Sequence, residues 1–345
     1  MAYTMRDVAS RAGVSPATVS RVLNNAHAIA PETVRRVLDA ANALRYFKNV
    51  HAQRLATGKS NLFGLVISEI TNPYFPELIR GFQAAAWDRG CDVLLCNTEY
   101  NLERTRLVVR RLVENDVRGV ALMTTSVDES MTPDLIAAGI GVVFCNLGHV
   151  GTLVSNISVD YRQGIAQAIR HATELGHRRA AVIAGPADNR TAMTIKNALV
   201  TGLQKQGLTP LPAIHCDSHI DAGATAVRTV LAAPEPPTMI FCGSDLIALG
   251  AMSALEEAGV SIPGEMSVIG IDDVLFAFLA RPPLTTISVP REQVGKLAFQ
   301  ALERILRLKR RKGTGYSVKT ELIIRKSTAP PRQNRLVFNP RIPKA

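Results

Sequence analysis

The segment "GVSPATVSRVLNN", residues 13–25, combines a turn, a helix start and a polar helix face. Gly13 suits a turn that needs a positive φ. Ser15 followed by Pro16 is typical of a helix start, because the serine hydroxyl caps free N–H groups and proline has no N–H to leave unpaired. Polar residues then recur along one side of the helix, where a buried helix would carry apolar ones. This pattern predicts a helix face that contacts a polar partner.

Two further helices are predicted around this segment. "MRDVASRA" follows Thr4 as a cap, with Asp7 at the positive end of the helix, and "PETVRRVLDAANAL" begins at Pro31. The second helix is expected to run to about Asn24. A small apolar set, in which Ala9 allows two helices to approach closely, completes the pattern of a helix-turn-helix. In that motif the start of the second helix remains free to enter a DNA major groove.

The polar face of the second helix fits DNA chemistry. Thr18 and Ser20 carry hydroxyls that suit phosphate oxygens, and Arg21 can bind the edge of guanine through two hydrogen bonds. Pro16 and Ala17 can offer only apolar contact, for example to a thymine methyl. The alternative is a three-helix bundle with a solvated outer face, which the turn chemistry and the basic charge of this region together disfavour.

Length and composition describe a globular protein. A chain of 345 residues exceeds one ordinary core and suggests about two domains, and its 47% apolar and 20% charged residues are a globular balance. No apolar run is long enough to cross a bilayer, and no export signal is visible at the N-terminus. The five cysteines are scattered and form no CxxC pair. These features predict a cytoplasmic protein with reduced thiols and no membrane segment.

The net charge of +11 is unevenly distributed. Residues 1–60 carry nine Lys or Arg against three Asp or Glu, and residues 301–345 carry thirteen against two, so the intervening residues are net acidic. A basic N-terminal region attached to an acidic body suggests a module that binds a polyanion, joined to one that does not. A solvated basic surface is the alternative reading of composition alone.

From residue 61 onward, short apolar runs alternate with amphipathic helices. Such runs, bounded by turns, are typical of parallel strands that are buried on both faces. The rhythm is interrupted and then returns after residue 160, which predicts two doubly wound α/β lobes. Strands are expected at 62–68, 92–98, 119–125, 141–146, 179–185, 212–217, 238–244 and 266–273, and helices at 76–90, 103–116, 132–139, 161–176, 191–207, 222–233 and 246–259.

Ligands of doubly wound sheets bind outside the carboxyl ends of the strands, so two facing lobes would place a crevice between them. Polar residues follow several strands, as in "SEITNPYF", "CGSD" and "GIDD". The predicted ligand-binding residues are Asn72, Tyr74, Phe75, Asn146, Arg190, Thr191, Ser244, Asp245 and Asp272. For each of them a strand-end or capping role is the alternative, most strongly for Asp245, which precedes the helix expected at 246–259.

The stretches "MRDVASRAGVSPATVSRVLNN" and "VHAQRLATGKSNLFGLVI" resemble the lactose/galactose-repressor (LacI/GalR) family of bacterial transcription regulators. The resemblance extends to about residue 330. It implies an all-α helix-turn-helix domain (1–48), a hinge helix or linker (49–60) and an effector-binding and dimerisation domain (61–330) of the periplasmic-binding-protein-like type I, followed by a basic flexible tail (331–345). The N-lobe would comprise about 61–159 and 288–317, and the C-lobe about 160–287 and 318–330.

The resemblance also implies roles for residues at matching positions. Pro16, Ala17 and Arg21 would read bases, and Thr18, Ser20 and Asn24 would contact the DNA backbone. In the hinge, Leu55 with Ala52 beside it would wedge into the minor groove and bend the duplex. Asp272 matches the family's effector-binding aspartate, and the aromatic positions at 74 and 75 would stack on a sugar or base. The predicted DNA-binding set is Thr4, Ser15, Pro16, Ala17, Thr18, Ser20, Arg21, Asn24, Ala52 and Leu55.

One departure from the family affects the effector. Many members carry two arginines in an S-x-R-x-R pattern, where this chain has Met193 and Ile195. A bidentate clamp on a carboxylate or on vicinal hydroxyls is therefore in doubt. Either the effector is less polar than a typical sugar, or Arg190 substitutes for the missing arginine.

The expected function is a dimeric repressor that reads a pseudo-palindromic operator in double-stranded DNA under control of a carbohydrate-like effector. Neither a cofactor nor an enzymatic reaction is predicted, since hydrolase and nucleotide motifs are missing, and the cluster "HCDSHI" (215–220) has no metal-site spacing. A solute-binding carrier with the same body and an enzyme on an α/β scaffold are the alternatives. The basic N-terminal region would be superfluous in a carrier.

Overall fold

A computed structural model gives the structure of the chain and describes residues 3–23, 29–47, 60–125, 127, 129–308 and 311–332. The chain divides into two compact units, Met1–Ser60 and Asn61–Ala345. The residues predicted to form the hinge helix, together with Asn24 and most of the basic tail, lie outside the described residues.

The first unit is a small bundle of three helices: α1 (Met5–Ala12), α2 (Pro16–Leu23) and α3 (Pro31–Ala43). Val8, Val19 and Val37, one from each helix, are fully buried and form the centre of the core. Gly13 has a φ of +63°, and the N–H of Val14 donates to the carbonyl of Ala9 across the turn at 3.1 Å. The predicted helix-turn-helix is therefore confirmed, with its turn made by the one residue type that adopts this φ without strain.

The second unit begins with the N-lobe. Its first strands are β1 (Leu62–Ile67), β2 (Asp92–Asn97), β3 (Gly119–Met123), β4 (Gly141–Cys145) and β5 (Val154–Asp160). The intervening helices are α4 (Phe75–Trp87), α5 (Leu102–Glu114) and α6 (Thr132–Ala137), the last preceded by a 3-10 turn at Glu129–Met131.

The C-lobe follows, and the chain then returns to the N-lobe. The C-lobe contains α7 (Arg162–Glu174), β6 (Arg179–Ala184), α8 (Arg190–Lys205), β7 (Thr209–Pro210), β8 (Ile214–His215), α9 (Ile220–Leu231), β9 (Met239–Cys242), α10 (Asp245–Glu257), β10 (Ser267–Asp272), α11 (Leu275–Leu279) and β11 (Thr285–Ser288). The chain then forms α12 (Arg291–Arg307) and β12 (Gly315–Lys319) in the N-lobe and β13 (Glu321–Ile323) in the C-lobe.

Each lobe contains one sheet with helices on both faces. The N-lobe sheet is parallel throughout, in the order β12-β5-β4-β3-β1-β2. The C-lobe sheet has the order β13-β11-β10-β9-β6-β7, with β8 also paired to β6, and only β13 runs antiparallel to its neighbour. These sheets confirm the predicted pair of doubly wound lobes.

The chain crosses between the lobes after β5, after β11 and between β12 and β13. Two of these crossings are tied together, because the N–H and hydroxyl of Thr320 both donate to the carbonyl of Asp160, at 3.3 and 3.0 Å. The lobes are thus joined by neighbouring segments. The carboxyl ends of the strands of the two sheets can therefore face each other across a cleft.

Several elements differ from the sequence interpretation. The strand expected at 212–217 is reduced to β8, at the edge of the sheet beside β6, and the two-residue strand β7 precedes it. Pro212, between the two, has no N–H to donate to β6. The expected helix at 246–259 begins one residue earlier, and Ser244 rather than Asp245 caps it. The sequence interpretation assigned none of β5, β11, β12 and β13 and neither of the helices α11 and α12. The four strands are short or interrupted by polar residues, so they lack the continuous apolar run expected of a strand buried on both faces.

Close helix pairs stabilise both lobes. In the C-lobe, α9 and α10 approach so closely that a Cβ on Gly250 would lie 1.8 Å from the carbonyl oxygen of Ile220. In the N-lobe, α4 and α12 approach in the same way, and a Cβ on Gly295 would lie 1.9 Å from the carbonyl oxygen of Leu78. Both positions therefore require glycine for packing rather than for an unusual φ.

We expect Gly250→Ala to lower the free energy of unfolding by about 1–3 kcal/mol, because the added methyl group meets backbone that cannot rotate away. Thermal or urea unfolding measures the loss. Gly141→Ala is the control, since its Cβ would lie 3.6 Å from the side chain of Leu306, an ordinary contact. Equal stabilities of the two variants would contradict this account of the helix pair.

A buried histidine fixes the end of the described chain to the C-lobe. His177 is fully buried, with Nδ1 2.8 Å from the hydroxyl of Thr238 and Nε2 3.1 Å from the carbonyl of Ala329. The carbonyl can only accept, so Nε2 carries the proton and Nδ1 accepts from the threonine. Burial lowers the pKa of His177 to about 4, although the hydrogen bond to Ala329 acts in the opposite direction.

Stability should therefore fall as the pH decreases from about 6.5 to about 4, because the unfolded histidine takes up a proton in this range and the folded one does not. Allowing for partial solvent screening, the contribution is on the order of 2 kcal/mol. Unfolding measured at pH 5 and pH 8 tests this. His177→Gln, which can still donate to Ala329, should reduce the difference between the two pH values, and an unchanged difference would assign the effect to other groups.

Candidate functional site

The exposed start of α2 is the first candidate surface. Pro16, Ala17 and Arg21 are exposed, as a base-reading face requires. Ser15 caps the helix, since its hydroxyl oxygen accepts from the N–H of Thr18 at 3.1 Å. The hydroxyl of Thr18 lies 2.9 Å from that of Ser15, so Thr18 is held in place within the turn. The residues predicted to read bases therefore lie on an exposed face of a helix whose N-terminus is capped.

Thr4 fixes the start of α1. The carboxylate of Asp7 accepts from the N–H and the hydroxyl of Thr4, at 2.7 and 2.8 Å, and these hydrogen bonds lower the pKa of Asp7. The hydroxyl of Thr4 is exposed but occupied by this contact. Ser20, on α2, is half-buried. The predicted contacts Asn24, Ala52 and Leu55 lie outside the described residues.

The second candidate site is a cavity between the lobes, at the carboxyl ends of their strands. Its volume is about 160 Å³, and it opens beside a second cavity of about 290 Å³. Polar, aromatic and small apolar side chains from both lobes line the first cavity: Ser68, Asn72, Tyr74, Phe75, Tyr100, Met123, Thr124, Thr125, Cys145, Asn146, Tyr161, Gly185, Asn189, Thr191, Ala192, Ile195, Ser218, Gly243, Ser244 and Asp272.

The structure brings most of the predicted ligand-binding residues together. Seven of the nine line the first cavity: Asn72, Tyr74, Phe75, Asn146, Thr191, Ser244 and Asp272. Arg190 lines the adjoining cavity, where Asn146, Thr191 and Tyr161 are shared between the two. The guanidinium of Arg190 is therefore next to the first cavity without lining it.

Asp245 requires a correction. It is fully buried and does not line the cavity. Its carboxylate accepts from the N–H of Val274 at 2.8 Å and from the hydroxyl of Thr286 at 2.6 Å. Asp245 therefore holds the turn after β10 against β11 and has a structural role in place of the predicted effector contact. The sequence could not separate the two, because both put an aspartate at a strand end.

Asp272 ends β10 in an unusual backbone conformation. Its φ is +119° and that of Asp273 is +61°, values that non-glycine residues adopt at a cost of about 1–3 kcal/mol each. Arg291, the first residue of α12 in the N-lobe, donates to the backbone carbonyls of both aspartates, with 2.8 Å to that of Asp273. The same guanidinium pairs with Glu77 of α4 at 2.8 Å. One N-lobe arginine thus holds the strained C-lobe turn that presents Asp272.

The side chain of Asp273 does not line this cavity and has partners elsewhere. Its carboxylate pairs with Arg325 at 2.5 Å, and Arg325 also donates to the carbonyl of Leu284 at 2.9 Å. The turn after β10 is therefore held from three sides, by Arg291, Arg325 and Asp245. This arrangement fixes the backbone from which the Asp272 side chain projects.

Burial controls the protonation of the lining. It raises the pKa of Tyr74 and of Tyr161 well above the usual value and that of Cys145 to about 12, so these groups stay neutral. Burial also raises the pKa of Asp272, and the nearby carboxylate of Asp245 raises it further, against the opposing charge of Arg291. The site therefore offers neutral hydroxyl donors around a single acid.

Several lining residues were missed by the sequence interpretation. Thr124 and Thr125 directly follow β3, so the rule of strand carboxyl ends could have found them. Tyr100 and Tyr161 enter from a loop and from an interlobe crossing, for which the sequence carries no comparable signal. Ile195, on α8, lines the cavity at the position where the resemblance led us to expect an arginine.

The structure also bears on metal binding and membrane insertion. Among the described residues, no group of three or more His, Cys, Asp and Glu side chains is arranged to hold a metal ion. Within "HCDSHI", Nδ1 of His215 lies 3.0 Å from the carbonyl of Gly185, and Ser218 lines the cavity. In the described part of the chain, no helix has both the length and the apolar character required to span a membrane.

A helix-turn-helix unit followed by a two-lobed body with an interlobe cavity defines a class of transcription regulators. Comparisons with known proteins agree with that class. A model of bacterial regulatory proteins of the lacI family matches residues 4–49, and a model of the periplasmic binding protein-like domain matches residues 169–328. The chain belongs to the LacI family of DNA-binding transcription regulators.

Relatives match the chain over nearly its whole length. The HTH-type transcriptional repressor PurR of Photobacterium profundum is 32% identical, over 94% of this chain and 98% of the relative. The ribose operon repressor of Escherichia coli (strain K12) is 30% identical, over 87% and 92%. A lac repressor dimer bound to operator and the anti-inducer ONPF has 26% identity and a TM-score of 0.84, covering 95% of this chain and 100% of the repressor chain.

Proposed function

We propose that this protein is a sequence-specific transcriptional repressor whose affinity for operator DNA is controlled by a small molecule, a sugar or sugar derivative, bound between the lobes. The observation that carries the proposal is the presence in one chain of two separate binding surfaces. One is the exposed, capped start of α2, and the other is an interlobe cavity in which residues predicted from the sequence converge.

Different residues of the DNA-binding surface would contact the bases and the phosphates. Arg21 would bind a guanine edge while Pro16 and Ala17 fit against thymine methyl groups. Thr4, Ser15, Thr18, Ser20 and Asn24 would contact phosphates and fix the register of the helix. Leu55, with Ala52, would enter the minor groove and bend the duplex. These assignments follow the family positions and the exposure of the described residues.

The cavity would control DNA binding through the lobe angle. A ligand that prefers one arrangement of the lobes shifts the population toward it, and a ligand without that preference shifts nothing. Arg291 supports this coupling, because its guanidinium joins Glu77 of the N-lobe to the Asp272–Asp273 turn of the C-lobe. Whatever ligand binds Asp272 would therefore act on the contact between the lobes.

A second copy of the chain would complete the repressor. Four large apolar side chains of α11, Leu275, Phe276, Phe278 and Leu279, are at least half exposed, which is costly for a free surface. A dimer related by two-fold symmetry would bury them and present two heads to the half-sites of a pseudo-palindromic operator. The similarity to a lac repressor dimer bound to operator supports this arrangement.

We expect Arg21→Ala to weaken binding to duplexes that the wild-type protein selects from a randomised pool by roughly 10- to 100-fold, which corresponds to about 1–3 kcal/mol for one bidentate base contact. Electrophoretic mobility shift at fixed salt measures the loss. The selected consensus should also become less specific at one base pair of each half-site.

Arg36→Ala is the matched control, because it removes the same charge from an exposed position on α3. It should weaken binding to all sequences similarly and leave the consensus unchanged. Failure of the wild-type protein to retain any duplex at low salt would rule out the repressor proposal. An unchanged consensus for Arg21→Ala would rule out base reading by that residue.

The dimer proposal predicts that the double substitution Phe276→Asp and Phe278→Asp shifts the protein toward monomer, because buried carboxylates at the interface would lack partners. Sedimentation velocity over a concentration series measures the shift. Leu107→Asp, which changes a comparably exposed residue of α5 in the other lobe, should leave the assembly unchanged. A double variant that remains fully dimeric would exclude α11 from the interface.

A further inference from the structure

The charge of the interlobe cavity restricts the ligands it can take. Among the described residues that line it, Asp272 is the only Asp, Glu, Lys, Arg or His. The remaining polar lining consists of hydroxyls and amides. An anionic ligand would therefore enter a site that offers one carboxyl group and no cationic side chain in contact.

The arginines that hold the Asp272–Asp273 turn already have partners. Arg291 has Glu77 and two backbone carbonyls as partners, and Arg325 has Asp273. Arg190 is exposed and lines the adjoining cavity. Ile195, which is apolar and 5% exposed, lines the cavity from α8 at the position where an arginine was expected. No clamp for a carboxylate or phosphate is thus formed by the described lining.

Aromatic side chains surround the acid. Tyr74, Tyr100 and Tyr161 all line the cavity, and the negative charge of Asp272 raises the pKa of each of them, in addition to the larger effect of burial. Phe75 packs edge-on against Tyr74 with ring centroids 5.3 Å apart. Aromatic faces attract cations, and a carboxylate among them adds a direct ion pair, so this end of the cavity favours a positive group.

Another part of the lining has the reverse polarity. The N-terminus of α8, a helix of 16 residues, faces the cavity through Asn189, Thr191 and Ala192. The side-chain oxygen of Asn189 is used to cap the N–H of Ala192, which leaves the amide NH₂ as a donor. Donors and the helix dipole there suit a hydroxyl or carbonyl oxygen of a ligand. The first cavity, with a volume of about 160 Å³, suits a ligand of about one ring.

We propose that the effector is a single-ring compound with a protonated amine, such as an amino sugar, and that the amine binds Asp272 among the three tyrosines. The proposal rests on the regulatory function proposed above and adds the chemical class of the effector. The ring oxygens lie toward the start of α8, and the ammonium supplies the positive charge that the lining lacks.

The test uses full-length protein and matched sugars at the same millimolar concentration. Glucosamine, galactosamine and mannosamine are each compared with the N-acetylated amine and with the parent sugar, while glucuronate and glucose 6-phosphate represent anions. Thermal shift ranks the compounds, and calorimetry gives the Kd values. We expect at least one amine to bind about 10- to 100-fold more tightly than its neutral counterparts, as a charge-assisted hydrogen bond provides.

Asp272→Asn, which keeps the shape and removes the charge, should abolish this preference for the amine. Ile195→Arg should weaken amine binding and admit glucuronate or glucose 6-phosphate. DNA retention by each variant shows that it is folded.

Three results would overturn the proposal: tighter binding of a neutral or anionic member, an amine preference that survives Asp272→Asn, or no shift with any amine. Each leaves the repressor function standing if wild-type protein still retains its selected DNA.

Discussion

The guanidinium of Arg291 is the contact on which the regulatory body depends. It is 3% exposed, it belongs to the N-lobe, and it binds the backbone of the strained turn that ends β10 in the C-lobe. A buried charge of this kind is stable only with its partners, and loss of one partner typically costs about 3–5 kcal/mol. A change in the angle between the lobes would alter this contact and with it the surroundings of Asp272, so ligand binding and lobe geometry would be coupled at this place.

The two lobes are packed in the same way. Each places a largely parallel sheet between helices. Each also contains a helix pair in which glycine allows backbone to touch backbone, at Gly81 and Gly295 in one lobe and at Gly223 and Gly250 in the other. Rigid lobes of this kind concentrate motion at the three crossings, where Thr320 ties two segments together. A cleft between rigid bodies can respond to a small ligand because its walls do not deform independently.

The cavity combines neutral tyrosine hydroxyls, a half-buried acid and the start of a helix, and these groups come from both lobes. Its acid is positioned by residues that do not touch the cavity, namely Asp245 and Arg325. This outer support holds the backbone that carries Asp272 in place, and a backbone that is already ordered reduces the entropy lost on binding. The chemistry of the site therefore depends on the residues that hold the turn of Asp272 as well as on the residues that line the cavity.

Sequence alone determined the order of domains, the helix-turn-helix, the alternating lobes and seven of the twenty described residues that line the cavity, because turn chemistry, apolar periodicity and strand ends are local signals. It identified Asp272 and Tyr74, which follow strands. Tertiary structure alone decided that Asp245 is buried under β10, that Tyr100 and Tyr161 join the site, and that Arg291 links the lobes. These outcomes depend on contacts between residues far apart in the chain, such as Arg291 with Glu77, and no local pattern of residues encodes which distant partner a side chain will meet.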